Sequence, residues 1–189
     1  LGMHGNYGPN ILTNECDVLI AIGMRFDDRV TGNLATYAKQ AKVIHFEIDP
    51  AEVDKNVKTD VAVLGDVKES LAALLPLVEA KSHEAWHNEF KEKYKIELES
   101  VINDELNPKG EGISMGETIE MINKHSNGDA IMVSDVGQHQ MFTCRYSKFN
   151  QSKSNITSGG LGTMGFALPA AIGAKMGQPD REVVAIIGD

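Results

Sequence analysis

Short apolar runs recur along the chain, and each stops at a turn signal. Val18-Leu19-Ile20-Ala21-Ile22-Gly23, Val43-Ile44-His45-Phe46-Glu47-Ile48 and Val61-Ala62-Val63-Leu64 lie in the first half. Ala130-Ile131-Met132-Val133-Ser134 and Val183-Val184-Ala185-Ile186-Ile187 lie in the second. Asp49-Pro50, Gly65-Asp66 and Gly188-Asp189 close three of them. Runs of this length without alternation read as strands buried on both faces of a parallel sheet. Between them the apolar positions take helical spacing. A short helix is predicted over residues 10–16. A second is predicted over 66–79, with Val67, Leu71, Leu74, Leu75 and Val78 on one face and Asp66 with Glu69 as a capping pair. Ser114 and Glu117 form a second capping box ahead of Ile119, Met121 and Ile122. Further helices are predicted from Gly137 to Tyr146, and from a glycine loop at 158–165 to about Met176. Strands alternating with helices give an α/β fold class with two parallel-sheet domains.

The two halves are separated by a stretch of different character. Residues 81–109 are dense in Lys, Glu, His and Asn, and Trp86, Phe90 and Tyr94 recur at spacing four. This reads as a solvated helix laying one aromatic stripe on a neighbour, ended by Asn107-Pro108-Lys109-Gly110. The expected organisation is a first domain over 1–80, a helical linker over 81–110 and a second domain over 111–189.

Composition narrows the partners. The 189 residues carry 18 Lys and Arg against 27 Asp and Glu, a net charge of −9. An acidic chain is a poor match for nucleic acid, which needs a basic face, or for an anionic membrane. It does not exclude phosphorylated ligands, which backbone amides and helix N-termini can hold. No apolar run approaches the roughly 18 residues of a membrane span. Cys16 and Cys144 are far apart and have no metal-ligand spacing; they read as buried thiols. Both ends read as cuts inside a longer chain, and the cut surfaces predict non-native association.

Four motifs could carry chemistry, each beside a strand end or a glycine loop. Ser158-Gly159-Gly160-Leu161-Gly162-Thr163-Met164-Gly165 lets backbone pass close to a flat ligand. Asp135-Val136-Gly137-Gln138-His139-Gln140 follows a strand and opens a helix, where amides can meet a diphosphate. Asp189 follows the last strand, where a carboxylate suits a divalent cation. Gly23-Met24-Arg25-Phe26-Asp27-Asp28-Arg29-Val30-Thr31-Gly32 interleaves two arginines, which bind phosphate bidentately, with two aspartates. Glu47 sits at the next strand end, where dinucleotide-binding sheets place an acid on ribose hydroxyls, and Asp66-Val67 occupies the same end of the third strand. Leu1-Gly2-Met3-His4-Gly5 is a further glycine loop that could lie along the same ligand.

The Arg-Phe-Asp-Asp-Arg-Val-Thr-Gly stretch at 25–32, Gly-Gln-His-Gln at 137–140, the glycine loop through Phe166, and Leu168 to Ala174 together resemble acetohydroxyacid synthase, also called acetolactate synthase. The resemblance covers essentially the whole chain. It implies a partial central FAD-binding domain of DHS-like, Rossmann-like kind, followed by a partial thiamine-diphosphate-binding domain. It implies FAD contacts at Leu1, Gly2, Met3, His4, Gly23, Met24, Arg25, Phe26, Asp27, Glu47, Ile48, Asp66 and Val67. Thiamine diphosphate contacts would fall on Gln138, His139, Gly162, Thr163 and Met164, with Met164, Gly162 and Gln138 closest to the chemistry. Met164 would match the bulky residue that bends the cofactor. Asp28 and Arg29 match positions lining the substrate channel, and Asp189 would be a Mg2+ ligand. Met24 and Glu47 stand where many relatives have valine and aspartate.

The activity implied is thiamine-diphosphate-dependent condensation of pyruvate with a second 2-keto acid such as 2-ketobutyrate, with loss of CO2, in branched-chain amino acid biosynthesis. A homodimer or larger assembly, a regulatory small subunit and a bacterial-type cytoplasmic location follow from the same resemblance. The activating glutamate and a second metal ligand would lie outside the chain, so the chain alone is expected to be inactive. Two other readings stand beside it. One is another thiamine-flavin enzyme, of the pyruvate oxidase or glyoxylate carboligase type. The other is a noncatalytic nucleotide-binding module.

Overall fold

In the computed structural model, which describes residues 1–188, the first three apolar runs pair as a parallel sheet in the order β1-β2-β3. The strands are β1 (Val18–Ile22), β2 (Lys42–Glu47) and β3 (Val61–Leu64). Val18 pairs with Lys42 and Ile22 with Phe46, while Ile44 pairs with Val61 and Glu47 with Leu64. This register carries all three C-terminal ends to one edge. Leu19, Ala21 and Val43 share the face that packs on Phe26, Tyr37 and Ala38. On the other face Val18, Ile20, Ile22 and Val61 are 44%, 56%, 49% and 50% exposed.

The helices of this unit begin and end for local reasons. Helix α1 (Tyr7–Thr13) starts earlier than the predicted 10–16, because Asn6 is already extended and Pro9 suits a first turn. Within residues 25–32 the Asp27 carboxylate caps a single turn, α2 (Asp28–Thr31), by accepting from the Arg29 amide. Helix α3 (Val67–Leu74) is capped by Asp66, which accepts from the Lys68 and Glu69 amides. It stops short of the predicted residue 79 and continues only as a 3-10 turn, Leu75–Leu77, since Pro76 brings no amide to the helix.

The chain separates into two compact units, Leu1–Lys95 and the part from Ile96 onward. The predicted single helix over 81–109 is three pieces: α4 (Glu84–Glu97), a π turn (Leu98–Ile102) and α5 (Asn103–Leu106). Its aromatic stripe is shorter than the spacing suggested. Trp86 and Phe90 meet edge to face at 5.6 Å, but Tyr94 is 52% exposed.

The second unit holds α6 (Met115–Ser126), β4 (Ile131–Ser134), α7 (Gln138–Tyr146), β5 (Asn155–Thr157), α8 (Ala167–Gly177) and β6 (Val183–Ile186). Ser114 caps α6 through the Glu117 amide, and Asn127 ends it in the left-handed conformation. Strand β5 lies outside the sequence expectation, because three residues with one aliphatic side chain carry no periodic signal. All strands are parallel, in the order β5-β4-β6. Strand β4 is therefore central and buried at every position. Met132 packs with Ile119 and Tyr146, while Ile131 and Val133 pack with Ala167 and the α8 alanines. So α6 and α7 cover one face of the sheet and α8 the other. The connections from β4 run first to one side and then back past it to the other. In sheets of this kind such a reversal marks the ligand-binding crevice, here outside the tips of β4 and β6.

Candidate functional sites at the strand tips

In the second unit, two sequence-predicted segments, 135–140 and 158–165, leave the strand tips beside Gly188 at that crevice. Ser134 pairs with both Thr157 and Ile186, so residues 135, 158 and 187 leave neighbouring strands side by side. Asp135 is 6% exposed, and its two carboxylate oxygens accept from the Gly165 amide at 2.9 Å and the Phe166 amide at 3.0 Å. The carboxylate thereby ties the far end of the glycine loop to the tip of β4. The near end is closed by Ser158, whose carbonyl accepts from the Gly162 amide at 2.9 Å and whose hydroxyl accepts from the Thr163 amide at 3.0 Å. Gly162 holds a left-handed φ of +63°, and a Cβ on it would lie 4.0 Å from the Val136 side chain. Leu161 and Met164 project outward, 93% and 73% exposed.

His139 lies at these tips, its ring beside Gly137, where a Cβ would come within 2.8 Å of Cε1. The ring also lies against Gly188, where a Cβ would come within 2.9 Å of His139 Cε1. Nε2 is buried and has no partner among the described residues. A buried ring nitrogen left unpaired costs free energy. Gln138 is exposed and Gln140 is buried, donating from Nε2 to Thr157 Oγ1 at 2.8 Å. Asp189 lies outside the described residues. Among the described residues no group of three or more His, Cys, Asp and Glu side chains stands together. These tips present the left-handed Gly162 segment, open to close approach, the start of α7 and one unpaired imidazole nitrogen. They suit an anionic ligand carrying a flat ring.

The first unit brings its predicted residues together in two groups. The strand register puts Gly23, Glu47 and Gly65 at one edge, with the Gly23 amide donating to Phe46 O and the Gly65 amide to Glu47 O. Both glycines hold positive φ, +60° and +143°. Ile48, 72% exposed, and Asp66-Val67 extend this edge. A cleft of about 440 Å³ forms the second group, with Leu1, Gly2 and Met3 facing Asp28, Arg29 and Thr31. Gly2 is obligatory there, since a Cβ would stand 2.1 Å from Arg29 O. His4 closes the 3-10 turn Gly2–His4 that carries these residues.

Three side chains in this unit are arranged differently from what their motif positions suggest. The Phe26 ring is 2% exposed, edge-on to Tyr37 at 6.3 Å and to His45 at 5.2 Å. It anchors the loop from within the core. Asp27 shares its carboxylate between the α2 cap and Arg25, whose guanidinium lies 3.6 Å away and is 53% exposed. Glu47 is 8% exposed and turns one oxygen back to the Ile48 and Asp49 amides, at 2.9 and 3.2 Å. Its other oxygen lies 3.6 Å from Nε2 of His45, a fully buried residue whose ring nitrogens have no hydrogen-bond partner. The Tyr37 hydroxyl is also buried and unpartnered, and burial, with the nearby Cys16, pushes its pKa up. Asp135 and Ser158 open two of the quoted motifs, but their part in fastening the glycine loop was not read from them. Tyr37, which packs on Phe26, and Asn56, whose amide donates to the Arg25 and Phe26 carbonyls, carried no signal.

Residues 1–74 match the family described as thiamine pyrophosphate enzyme, central domain. Residues 135–189 match thiamine pyrophosphate enzyme, C-terminal TPP binding domain. The whole chain is 44% identical over 188 residues to the acetolactate synthase large subunit of Lactococcus lactis, covering 32% of that protein. It is 45% identical over 196 residues to the large subunit of Parasynechococcus marenigrum, covering 30%. It is 41% identical over 191 residues to the isozyme 3 large subunit of Escherichia coli, covering 33%. The chain thus spans about a third of the length of these relatives. No helix among the described residues is long and apolar enough to cross a membrane.

Proposed function

We propose, for a chain that belongs to the thiamine pyrophosphate enzymes and is similar along its own length to about a third of acetolactate synthase large subunits, that the full-length protein condenses pyruvate with a second 2-keto acid and releases CO2. The product would be 2-acetolactate or, from 2-ketobutyrate, 2-aceto-2-hydroxybutyrate. The observation that carries this reading is the buried, unpartnered Nε2 of His139 at the β4–β6 crevice, beside the loop that Asp135 fastens there.

Thiamine diphosphate, when bound, supplies the electron sink that decarboxylation of a 2-keto acid requires. The residues present fit it. His139 offers a polar atom that lacks a partner, Gly162 and Thr163 offer a close backbone approach, and Gln138 is exposed at the start of α7. Met164, 73% exposed at the end of that loop, would support the ring system and set its shape. Mg2+ would be held by Asp189, directly after Gly188 in sequence.

In the first unit the edge formed by Gly23, Met24, Arg25, Glu47, Ile48, Asp66 and Val67 would hold FAD, with Leu1–His4 along it. The fit rests on the exposed Arg25 guanidinium and on glycines that leave backbone open at two of the three strand ends. Asp28 and Arg29, beside the cleft with Leu1–Met3, would line the approach of the keto acids. Dimers of the catalytic chain and a regulatory subunit belong to the same reading.

The test is to purify the full-length protein, identify the cofactors released on denaturation, and follow pyruvate consumption with each cofactor omitted in turn. Acetolactate formed only with thiamine diphosphate supports the assignment. Acetyl phosphate or tartronate semialdehyde as the product would move the protein to a pyruvate oxidase or glyoxylate carboligase. Release of neither cofactor, with no turnover, would favour a noncatalytic module. Met164→Ala with unchanged turnover would remove the role given to that side chain.

A further inference from the structure

We propose that Asn56 is a positioning residue for Arg25. It fixes the backbone of the Arg25-Phe26-Asp27 tip so that the guanidinium faces the anionic cofactor; this rests on the flavin reading of the first unit. The starting observation is strain. Phe26 holds φ +51°, a left-handed conformation that an aromatic residue adopts only when its surroundings enforce it. Two restraints enforce it. The Phe26 ring is sealed in the core against Tyr37 and His45. On the backbone side, the single amide of Asn56 donates to two successive carbonyls, Arg25 O at 3.3 Å and Phe26 O at 3.1 Å. Both carbonyls are thereby aimed at one point, which fixes the peptide plane between Arg25 and Phe26.

The loop that carries Asn56 is built to hold still. Asp54, itself at φ +58°, accepts from the backbone amide of Thr59 at 2.7 Å and from its hydroxyl. Those bonds hold the Asp54 carboxyl below its usual range. Val57, next to Asn56, packs against the core cluster that contains Phe26. Downstream, Asp27 is committed to the α2 cap and to Arg25 at 3.6 Å. With the ring, both carbonyls and the aspartate fixed, the exposed Arg25 side chain is the remaining freedom at this tip, and its root is already oriented. A guanidinium held this way loses less freedom on meeting a phosphate than one on a mobile loop.

The experiment uses the full-length holoprotein, stripped of flavin and titrated with FAD by fluorescence quenching, with thermal midpoints measured in parallel. Asn56→Ala removes the donor and adds no charge; it should weaken FAD about fivefold, the loss expected for hydrogen bonds to neutral carbonyls. Asn56→Ser keeps a donor that cannot reach both carbonyls and should fall between. The discriminating variant is the pair. In an Arg25→Met background, Asn56→Ala should produce no further weakening, because the residue it acts through is gone. The thermal midpoint should stay within about 2 °C throughout, as expected for an exposed position. An unchanged FAD affinity in Asn56→Ala, or the same fivefold loss in the Arg25→Met background, would overturn the assignment while leaving flavin binding intact. A wild-type protein that neither carries nor binds FAD would overturn the flavin reading, and this one with it.

Discussion

Replacing Asp135 by Asn tests whether the glycine loop is held by its carboxylate. The two oxygens accept from adjacent amides at 2.9 and 3.0 Å inside a site that is 6% exposed. Hydrogen bonds to a charged partner contribute about 1.5–3 kcal/mol each. The asparagine keeps one acceptor and turns an N–H toward the other amide, leaving a buried donor unpaired. The local loss is then about 2–4 kcal/mol, or an opening equilibrium raised about 30-fold or more. Amide hydrogen exchange at Gly165 and Phe166 reads this directly. Gly162 and Thr163 are the internal control, because their amides are bonded to Ser158 and not to Asp135. The expected result is a large acceleration at 165–166, a small one at 162–163 and none in β4. Rates at Gly165 and Phe166 within twofold of wild type, or a uniform acceleration through β4, would refute the reasoning.

Gly188→Ala puts a methyl where 2.9 Å separates it from His139 Cε1, so the imidazole must shift; a change in its NMR resonances and a stability loss of about 1–3 kcal/mol are expected in unfolding titrations. Tyr37→Phe removes a buried hydroxyl with no partner and should leave stability equal or raise it by about 1 kcal/mol, measured by denaturant midpoint. Glu120 has its pKa lowered by the Lys148 ammonium, so it stabilises the fold above the ordinary carboxylate pKa and loses that contribution as pH falls through the lowered value. Glu120→Gln should therefore lower the thermal midpoint slightly at pH 7 and have less effect near pH 3, and the opposite trend would contradict it. Ile20→Lys, on the open face of the first sheet, should reduce concentration-dependent association of the chain in sedimentation without lowering its helix content.

How far the sequence predicted the molecule depended on how local each signal was. The five aliphatic strands were legible because a continuous apolar run has few other uses. The Asp66 and Ser114 caps were legible because capping is decided within four residues. Strand β5 was not, since its three residues become a strand only by pairing with β4. The early stop of α3 was signalled by Pro76 but hidden by the apolar spacing that runs on to Val78. At the sites, the motif positions were readable while the side-chain directions were not. Phe26 turning into the core, Glu47 folding back on its own strand end and Asn56 reaching from 30 residues away are products of tertiary packing.

The two units reach a usable strand-tip edge by different physical routes. In the second, topology marks the edge: strand order reverses at β4, and α7 and α8 take opposite faces, so the tips of β4 and β6 form the switch point at which such sheets bind ligands. Sequence is then needed only to furnish the crevice, which Gly188, Gly162 and His139 do. In the first, the described strands run β1-β2-β3 without reversal, so connectivity alone leaves no crevice among them. The edge is built instead by a strained loop, fastened inside by the Phe26 ring and outside by Asn56. The two edges should therefore differ in tolerance. Loop substitutions at 158–165 that preserve Asp135 leave the second edge standing, whereas loss of either fastening at Phe26 loosens the geometry of the first.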